Sequence, residues 1–453
     1  GSSPGAAGRR AERRLAHRRS AGPVAARGRA MALTPRVLIF SPALVGHRQV
    51  YCRALADILH DAGCGVVVAG SLGGLDPPAR AAFEGALRRR GPVELVDTSS
   101  LPQGGRDIGL DALCRLVTEK AAEITVLTEA DDHLELLTRQ MALRRRIPGR
   151  RVGIFLRDTC YVHVGRDADP WRNRFGRWRR GRVAWRTDPY VFHERLMPRF
   201  RLLDAALCLD EVFVGTHCRP YEWLPDIFAS FDVEDWSMNE TERAWLGRLH
   251  EFSARDPESH VLVYYGTAQA RRGYPLLVRL AVDLEARFAH CGARPPGDDQ
   301  SGELARLRET LAGRGALLET DTYLPSFAVA REFMRAAPCA VLPYRRHYVS
   351  SGVMLQALEA GRPVLVPERG LMAWRTRTFG LGRTYAEGSY EDLRRETLRL
   401  LSETPAAYAP RMERFMGFFS RERVAAAVRH ALDLGGPPAP TPYAAAASQG
   451  GHT

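Results

Sequence analysis

Ser350-Ser351-Gly352-Val353 is the stretch best suited to hold a phosphate. It follows the apolar run Cys339 to Pro343 and opens a helix-prone segment that stops at Gly361, before a second apolar run from Pro363 to Val366. Small residues between a strand and a helix leave backbone N–H groups free at the positive end of the helix dipole, which favours an anion there. A second glycine-punctuated loop, Gly266-Thr267-Ala268-Gln269-Ala270-Arg271-Arg272-Gly273, follows Val261 to Tyr265 and carries two cations. The plainer reading of it is a surface turn with solvated arginines. Gly46-His47-Arg48 follows the opening apolar run, where a glycine also suits a tight turn. Groups able to move protons or pair charges follow two more runs. Asp158, after Arg157, can orient or deprotonate a hydroxyl, or simply pair with its neighbour. Glu129, Asp131 and Asp132 suit a cationic ligand such as an amino sugar or aminocyclitol, and they equally suit the N-terminus of the next helix. His133, beside them, reads as structural more readily than catalytic. No carboxylate pair has convincing metal-ligand spacing, so no metal is expected.

These residues fall at the ends of short strands that alternate with helices. Arg36 to Pro42, Val66 to Ala69, Val93 to Val96, Ile124 to Leu127 and Val152 to Leu156 are brief apolar runs of the kind that form buried parallel strands. The first helix puts Val50, Leu55 and Leu59 on one face and closes near Gly63 and Gly65, and another is expected near 107–121. The alternation restarts near His260, with strands expected at 261–265, 316–319, 339–343 and 363–366. The fold class is therefore α/β, in two similar units joined by a polar, helix-prone linker over roughly 232–257. In a doubly wound sheet, ligands bind beyond the carboxyl ends of the strands, which is where the polar residues above stand.

Ser350 to Val366 resembles the donor-phosphate helix of glycosyltransferases with the GT-B fold, in which two Rossmann-like domains face a cleft. The three glycine loops fall in that family's order. The likeness covers most of residues 34–434 and is closest to the retaining, nucleotide-sugar-dependent group (glycosyltransferase family 4-like). It implies an N-terminal acceptor domain over 31–230 and a C-terminal donor domain over 231–434. It also implies transfer, with retention, from a UDP- or GDP-linked nucleotide sugar to a small-molecule, glycan or lipid-linked acceptor, without a metal or further cofactor. Gly46, Asp158 and Arg272 are the catalytic positions so implied, Arg272 neutralising the departing diphosphate. Donor contacts would come from Gly266, Thr267, Tyr323, Leu324, Tyr344, Ser350, Ser351, Gly352, Val353 and Gln356, with Tyr323-Leu324 in the loop whose backbone meets the base. His47, Glu129, Asp131 and His133 would meet the acceptor. The chain departs from the pattern at Thr267, where the family has an arginine, and at Tyr348 and Gln356, where it has glutamates. Arg157 stands where many retaining relatives have a histidine. Those departures keep two alternatives in view: a GT-B binding protein without catalysis, and a GT-B sugar-nucleotide epimerase. A Rossmann oxidoreductase is not expected, since no Gly-x-Gly-x-x-Gly follows either opening strand.

Composition narrows the setting. A chain of 453 residues with 45% hydrophobic content can build two or three full cores. Of the net charge of +13, residues 1–30 supply eight arginines against one glutamate, which reads as a disordered leader; nucleic acid is not an expected partner. Trp171 to Arg201 interleaves tryptophans with arginines, a pattern for packing on the first domain or for contact with an anionic membrane surface. Residues 435–453, opening with glycines and prolines, are expected to be a disordered tail. Eight scattered cysteines without a Cys-x-x-Cys pair read as reduced core residues. With no apolar run long enough to span a bilayer and no signal-peptide core, the expected location is cytoplasmic, with membrane association through 171–201 as an option.

Overall fold

The computed structural model describes residues 34–101, 109–165, 188–217, 220–227, 239–256, 259–294, 302–321 and 327–448. The first unit is a sheet of seven parallel strands: β1 (Arg36–Ala43), β2 (Gly65–Ser71), β3 (Val93–Asp97), β4 (Ile124–Leu127), β5 (Arg150–Phe155), β6 (Ala205–Cys208) and β7 (Tyr221–Trp223). Their order is β3-β2-β1-β4-β5-β6-β7. Runs this apolar are needed because both faces are covered. Val37 and Ile39 enter one apolar layer, Leu38 and Phe40 the other, and all four are buried. The strand order reverses between β1 and β4, so the first crevice lies at their carboxyl ends. Helix α1 (His47–Asp61) leaves β1 at that point, and α2 (Glu211–Thr216) follows β6.

The second unit repeats the plan. Strands β8 (Val261–Tyr265), β9 (Arg287–Cys291) and β10 (Leu317–Thr320) pair in the order β10-β9-β8. Strands β11 (Ala340–Val341), β12 (Val364–Pro367) and β13 (Gly382–Tyr385) pair in sequence, with β11 packed beside β8. The reversal between β8 and β11 makes the second crevice. Helix α3 (Tyr274–Asp283) starts at the Gly266–Gly273 loop, α4 (Gly352–Glu359) after Ser351, and α5 (Leu371–Phe379) after β12. Strands β6, β7, β9 and β13 go beyond the expected set.

The chain then returns to the first unit. Helix α6 (Arg421–Ala431) carries Val424, Ala427, Val428 and Ala431 at helical spacing, and that face joins the core of the first unit. A boundary at 434 therefore divides the sequence but not the packing. The tail also differs from expectation, because 435–448 is placed and α7 (Pro442–Ser448) is a helix. An aromatic anchor outweighs the glycine- and proline-rich composition. Tyr443 stacks on Trp374 with ring centroids 6.2 Å apart and lies so close over Gly215 that a Cβ there would meet the ring at 2.2 Å.

The leader (1–30), most of the Trp171–Arg201 stretch (166–187) and Tyr323-Leu324 lie outside the described residues. What is described of that stretch packs inward, with Phe192, His193 and Met197 fully buried. Among the described residues no helix is long and apolar enough to cross a membrane, and the cysteines are buried with no disulfide between them.

His193 makes the first unit acid-sensitive. Its ring is fully buried, with Nδ1 2.9 Å from the Tyr221 hydroxyl, and burial, with help from His217, pushes its pKa down to about 3. An unfolded histidine titrates near about 6.5. The unfolded chain thus takes up a proton that the folded chain refuses, and stability falls as pH drops from about 6.5 towards the folded value. Thermal melts between pH 7.5 and 4.5 should show a falling Tm, and His193→Phe should flatten the slope.

Candidate active-site cleft

Each crevice gathers the residues that follow its two reversing strands. In the first, Gly46 caps α1 with φ +59°, a left-handed backbone that suits glycine, and a Cβ there would meet nothing within 4 Å. The glycine is therefore kept for its conformation rather than for space. His47 stands half exposed on the first turn of α1, with Nε2 2.5 Å from Glu129 Oε1. Arg48 donates to the other Glu129 oxygen through Nε (2.9 Å) and Nη2 (2.6 Å), and Nη2 also reaches Asp132 at 3.1 Å. Arg157 pairs with the far side of Asp132 at 2.7 Å. Glu129 is 2% exposed. Burial alone would raise its carboxyl, but the hydrogen bonds from His47 and Arg48 reverse that and hold it well below the usual range. For Asp132, burial and the adjacent Glu129 charge raise the carboxyl against the pull of Arg157.

Two expected acceptor contacts, Asp131 and His133, change at this point. Asp131 accepts backbone N–H bonds from Leu156, Arg157 and Asp158 at 2.7, 2.9 and 2.8 Å, so it shapes the loop after β5 instead of facing an acceptor. Its three bonds satisfy donors that the end of a strand leaves open. His133 is fully buried with its ring 5.3 Å from that of Phe40, a place in the core and not in the crevice. Asp158 is 7% exposed beside this loop.

In the second crevice the Gly266–Gly273 loop is pinned from beneath. The Tyr264 hydroxyl donates to the Thr267 carbonyl at 2.9 Å, and fully buried His290 places Nε2 3.0 Å from the Gly266 carbonyl. Gly273 (φ +76°) lets the loop touch the Pro343 carbonyl, which a Cβ would approach to 2.1 Å. Arg272 lies with Nη1 2.9 Å from where a Gly266 Cβ would stand. Among the described residues no carboxylate pairs with Arg272. Arg272, Tyr344 and Val353, from three separate segments, line one hollow of about 10 Å³, room for roughly one water. Ser351 caps α4, its side chain accepting from Met354 N–H at 3.3 Å, which leaves the first N–H groups of the helix, at Gly352 and Val353, without that partner. Gln356 is buried on the same helix.

Ser350 departs from its expected role. Its hydroxyl donates to Asp226 Oδ2 at 2.9 Å and accepts from Arg375 Nη1 at 2.9 Å, so it is committed to the first unit instead of a ligand. Tyr51, one turn along α1 from His47, donates to the other Asp226 oxygen at 3.4 Å. One carboxylate thus sits between the helix that begins with His47 and the turn that opens α4, and the two crevices meet there. Arg48, Asp226 and Arg375 were not among the expected residues. Only Arg375 leaves a trace in the sequence, as an arginine one turn from Leu371 on the buried face of α5.

No protein-family model and no curated protein matches the chain. Solved structures do match it along nearly their whole length. Sucrose-phosphate synthase from Thermosynechococcus elongatus is 14% identical, with 88% of this chain and 98% of that one covered and a TM-score of 0.56. Anabaena Alr3699/HepE, solved in complex with UDP, is 12% identical, with 88% and 99% covered and a TM-score of 0.57. WaaG, a glycosyltransferase involved in lipopolysaccharide biosynthesis, is 16% identical, with 88% and 99% covered and a TM-score of 0.55. At these identities the shared property is the fold: two Rossmann-like domains across a cleft.

Proposed function

We propose that this chain, which has the GT-B fold, is a glycosyltransferase that moves a sugar from a nucleotide sugar to a hydroxyl or amino group of a small-molecule, glycan or lipid-linked acceptor. The observation that carries the reading is Arg272. A guanidinium without a carboxylate partner among the described residues, set over a glycine at the carboxyl end of β8 and beside the N-terminus of α4, is matched to a diphosphate. The complex of Anabaena Alr3699/HepE with UDP-glucose supports a UDP-linked donor. In the transfer, the bond from the anomeric carbon to the diphosphate breaks and one to the acceptor oxygen forms. Arg272 and the N–H groups of Gly352 and Val353 take the charge of the leaving diphosphate. The acceptor enters beside Gly46 and His47.

The stereochemical course has two supported readings. Family likeness favours retention. The His47–Glu129 pair favours direct displacement with inversion, because that route needs a base at the acceptor oxygen. With Nε2 bonded to Glu129, His47 has Nδ1 left to take the proton.

The test is a melting series with UDP, GDP, ADP and dTDP, followed by transfer assays with the matching sugars and proton NMR of the product's anomeric coupling. One diphosphate should raise Tm. No shift with any would overturn the reading. Binding without transfer would favour the non-catalytic alternative, and turnover without an acceptor the epimerase.

A further inference from the structure

Arg375 is fully buried, and so is its partner Glu211, 164 residues earlier on the other unit. The pairing is bidentate, with Nε to Oε1 at 2.7 Å and Nη2 to Oε2 at 2.6 Å, and Nη2 also donates to the Leu209 carbonyl at 3.1 Å. The third nitrogen, Nη1, reaches the Ser350 hydroxyl. Phe419 and Phe415 cover the guanidinium, their ring centroids 5.4 and 6.0 Å away. Such a pair is stable dry only when complete, since each ion alone carries a heavy desolvation penalty. The two units are therefore either docked with this contact made or apart with both charges in water.

Helix α5 ties that contact to the loop in front of α4. Its first residue, Leu371, donates its N–H to the Tyr348 carbonyl at 2.9 Å. Gly370 (φ +89°) is pressed so tightly on Tyr348 that a Cβ would stand 2.5 Å from its Cα. The loop ending in Ser350 and the helix carrying Arg375 thus form one body, and Ser350 is clamped at both ends, by Arg375 and by Asp226 of the first unit. We infer that Arg375, acting through Ser350 with Glu211 and Asp226, is a positioning residue that aligns the N–H groups opening α4 only when the two units are docked. This rests on the reading of that turn as a diphosphate site. It assigns Ser350 a coupling role in place of direct ligand contact, so that a ligand held at the turn favours the docked state and the docked state favours the ligand.

The experiment is calorimetric titration of the full chain with UDP and with GDP. Ser350→Ala deletes the coupling hydroxyl and spares the ion pair and the Ser351 cap. It should fold with a Tm a few degrees lower, because the buried Arg375 Nη1 loses its acceptor, and bind its nucleotide about tenfold more weakly, the scale of one hydrogen bond to a charged group. Ser350→Thr, which keeps the hydroxyl, should restore affinity, and Arg375→Lys, which keeps charge but loses the fork, should repeat the loss. Tyr443→Ala is the control for mere loosening of the interface, since Tyr443 packs against Gly215 and Trp374 without touching the turn. It should lower Tm and leave affinity unchanged. Parental affinity in Ser350→Ala, or equal losses in Ser350→Ala and Tyr443→Ala, would overturn the inference while leaving the transferase reading intact. Should neither bind, ADP and dTDP are titrated in the same way, and an unaltered protein that binds none of the four would overturn the reading and the inference together.

Discussion

Arg272→Ala should remove most of the turnover and leave the fold undisturbed. No described carboxylate depends on Arg272, so deleting it orphans no charge, and Tm should stay within a degree or two. The catalytic effect is of another order. On the proposed reading, a cation held over Gly266 meets the diphosphate most strongly as that group departs with its full charge. Losing one such preorganised donor costs about 10²–10³ in kcat. UDP affinity should fall as well, by less, because the ground-state diphosphate is less charged at the bridging oxygen than the leaving group. Arg272→Lys should recover part of the rate, returning the charge without the planar fork. Steady-state kinetics beside UDP titration separate the two effects. Unchanged kcat in Arg272→Ala would remove the cation from the mechanism.

The glycine loops show what a sequence can disclose about such a site. Val261 to Tyr265 and Val37 to Phe40 are uninterrupted apolar runs, and a glycine in the loop after each marks a strand end. Both expected strand ends, Pro42 and Tyr265, are within a residue of where the structure has them, with Gly46 and Gly266 at positive φ. Strand β9 is harder to see because Arg287 and His290 leave it only three apolar residues, Phe288, Ala289 and Cys291. Arg287 is buried there only because its guanidinium donates to the carbonyls of Phe252, Ser253, Asp256 and Ser259, an arrangement set by a distant helix end. The polar residues of the cleft divide on the same ground. That Arg272 is free to meet a ligand follows from a local context of small residues. That Asp131 is consumed by three backbone N–H groups, and Ser350 by Asp226 and Arg375, depends on partners 25 to 124 residues away. Local spacing reports where a side chain emerges; only the tertiary fold decides which emerging groups are already spent.

His47→Ala and Glu129→Gln should separate chemistry from support in the first crevice. His47 is half exposed, so its loss should barely change Tm, while a general base contributes about 10²–10⁴ to the rate. The fall should appear in kcat, with UDP affinity unaffected, since the imidazole lies on the acceptor side. Glu129→Gln differs because that carboxylate is buried and holds both His47 and Arg48. The amide cannot stabilise an imidazolium, so kcat should again drop, and Arg48 exchanges its buried carboxylate for a neutral amide, keeping Asp132, at a cost of about 1–3 kcal/mol in stability. The acid limb carries a further sign. Burial raises the Glu129 carboxyl, but hydrogen bonds from His47 and Arg48 win, so its folded pKa lies below the unfolded one. Its stabilisation is present above the unfolded carboxylate range and is lost as pH falls through the folded value. Glu129→Gln should therefore flatten the acidic part of the Tm profile from the carboxylate range downwards, overlapping the lower end of the range where His193 acts. A His47→Ala enzyme with full kcat would take the proton away from this residue, and with it the case for inversion. A rate loss carried equally by both variants, with Tm lowered only in Glu129→Gln, is the signature of an imidazole that takes the proton and a carboxylate that orients it and stabilises the imidazolium as it forms.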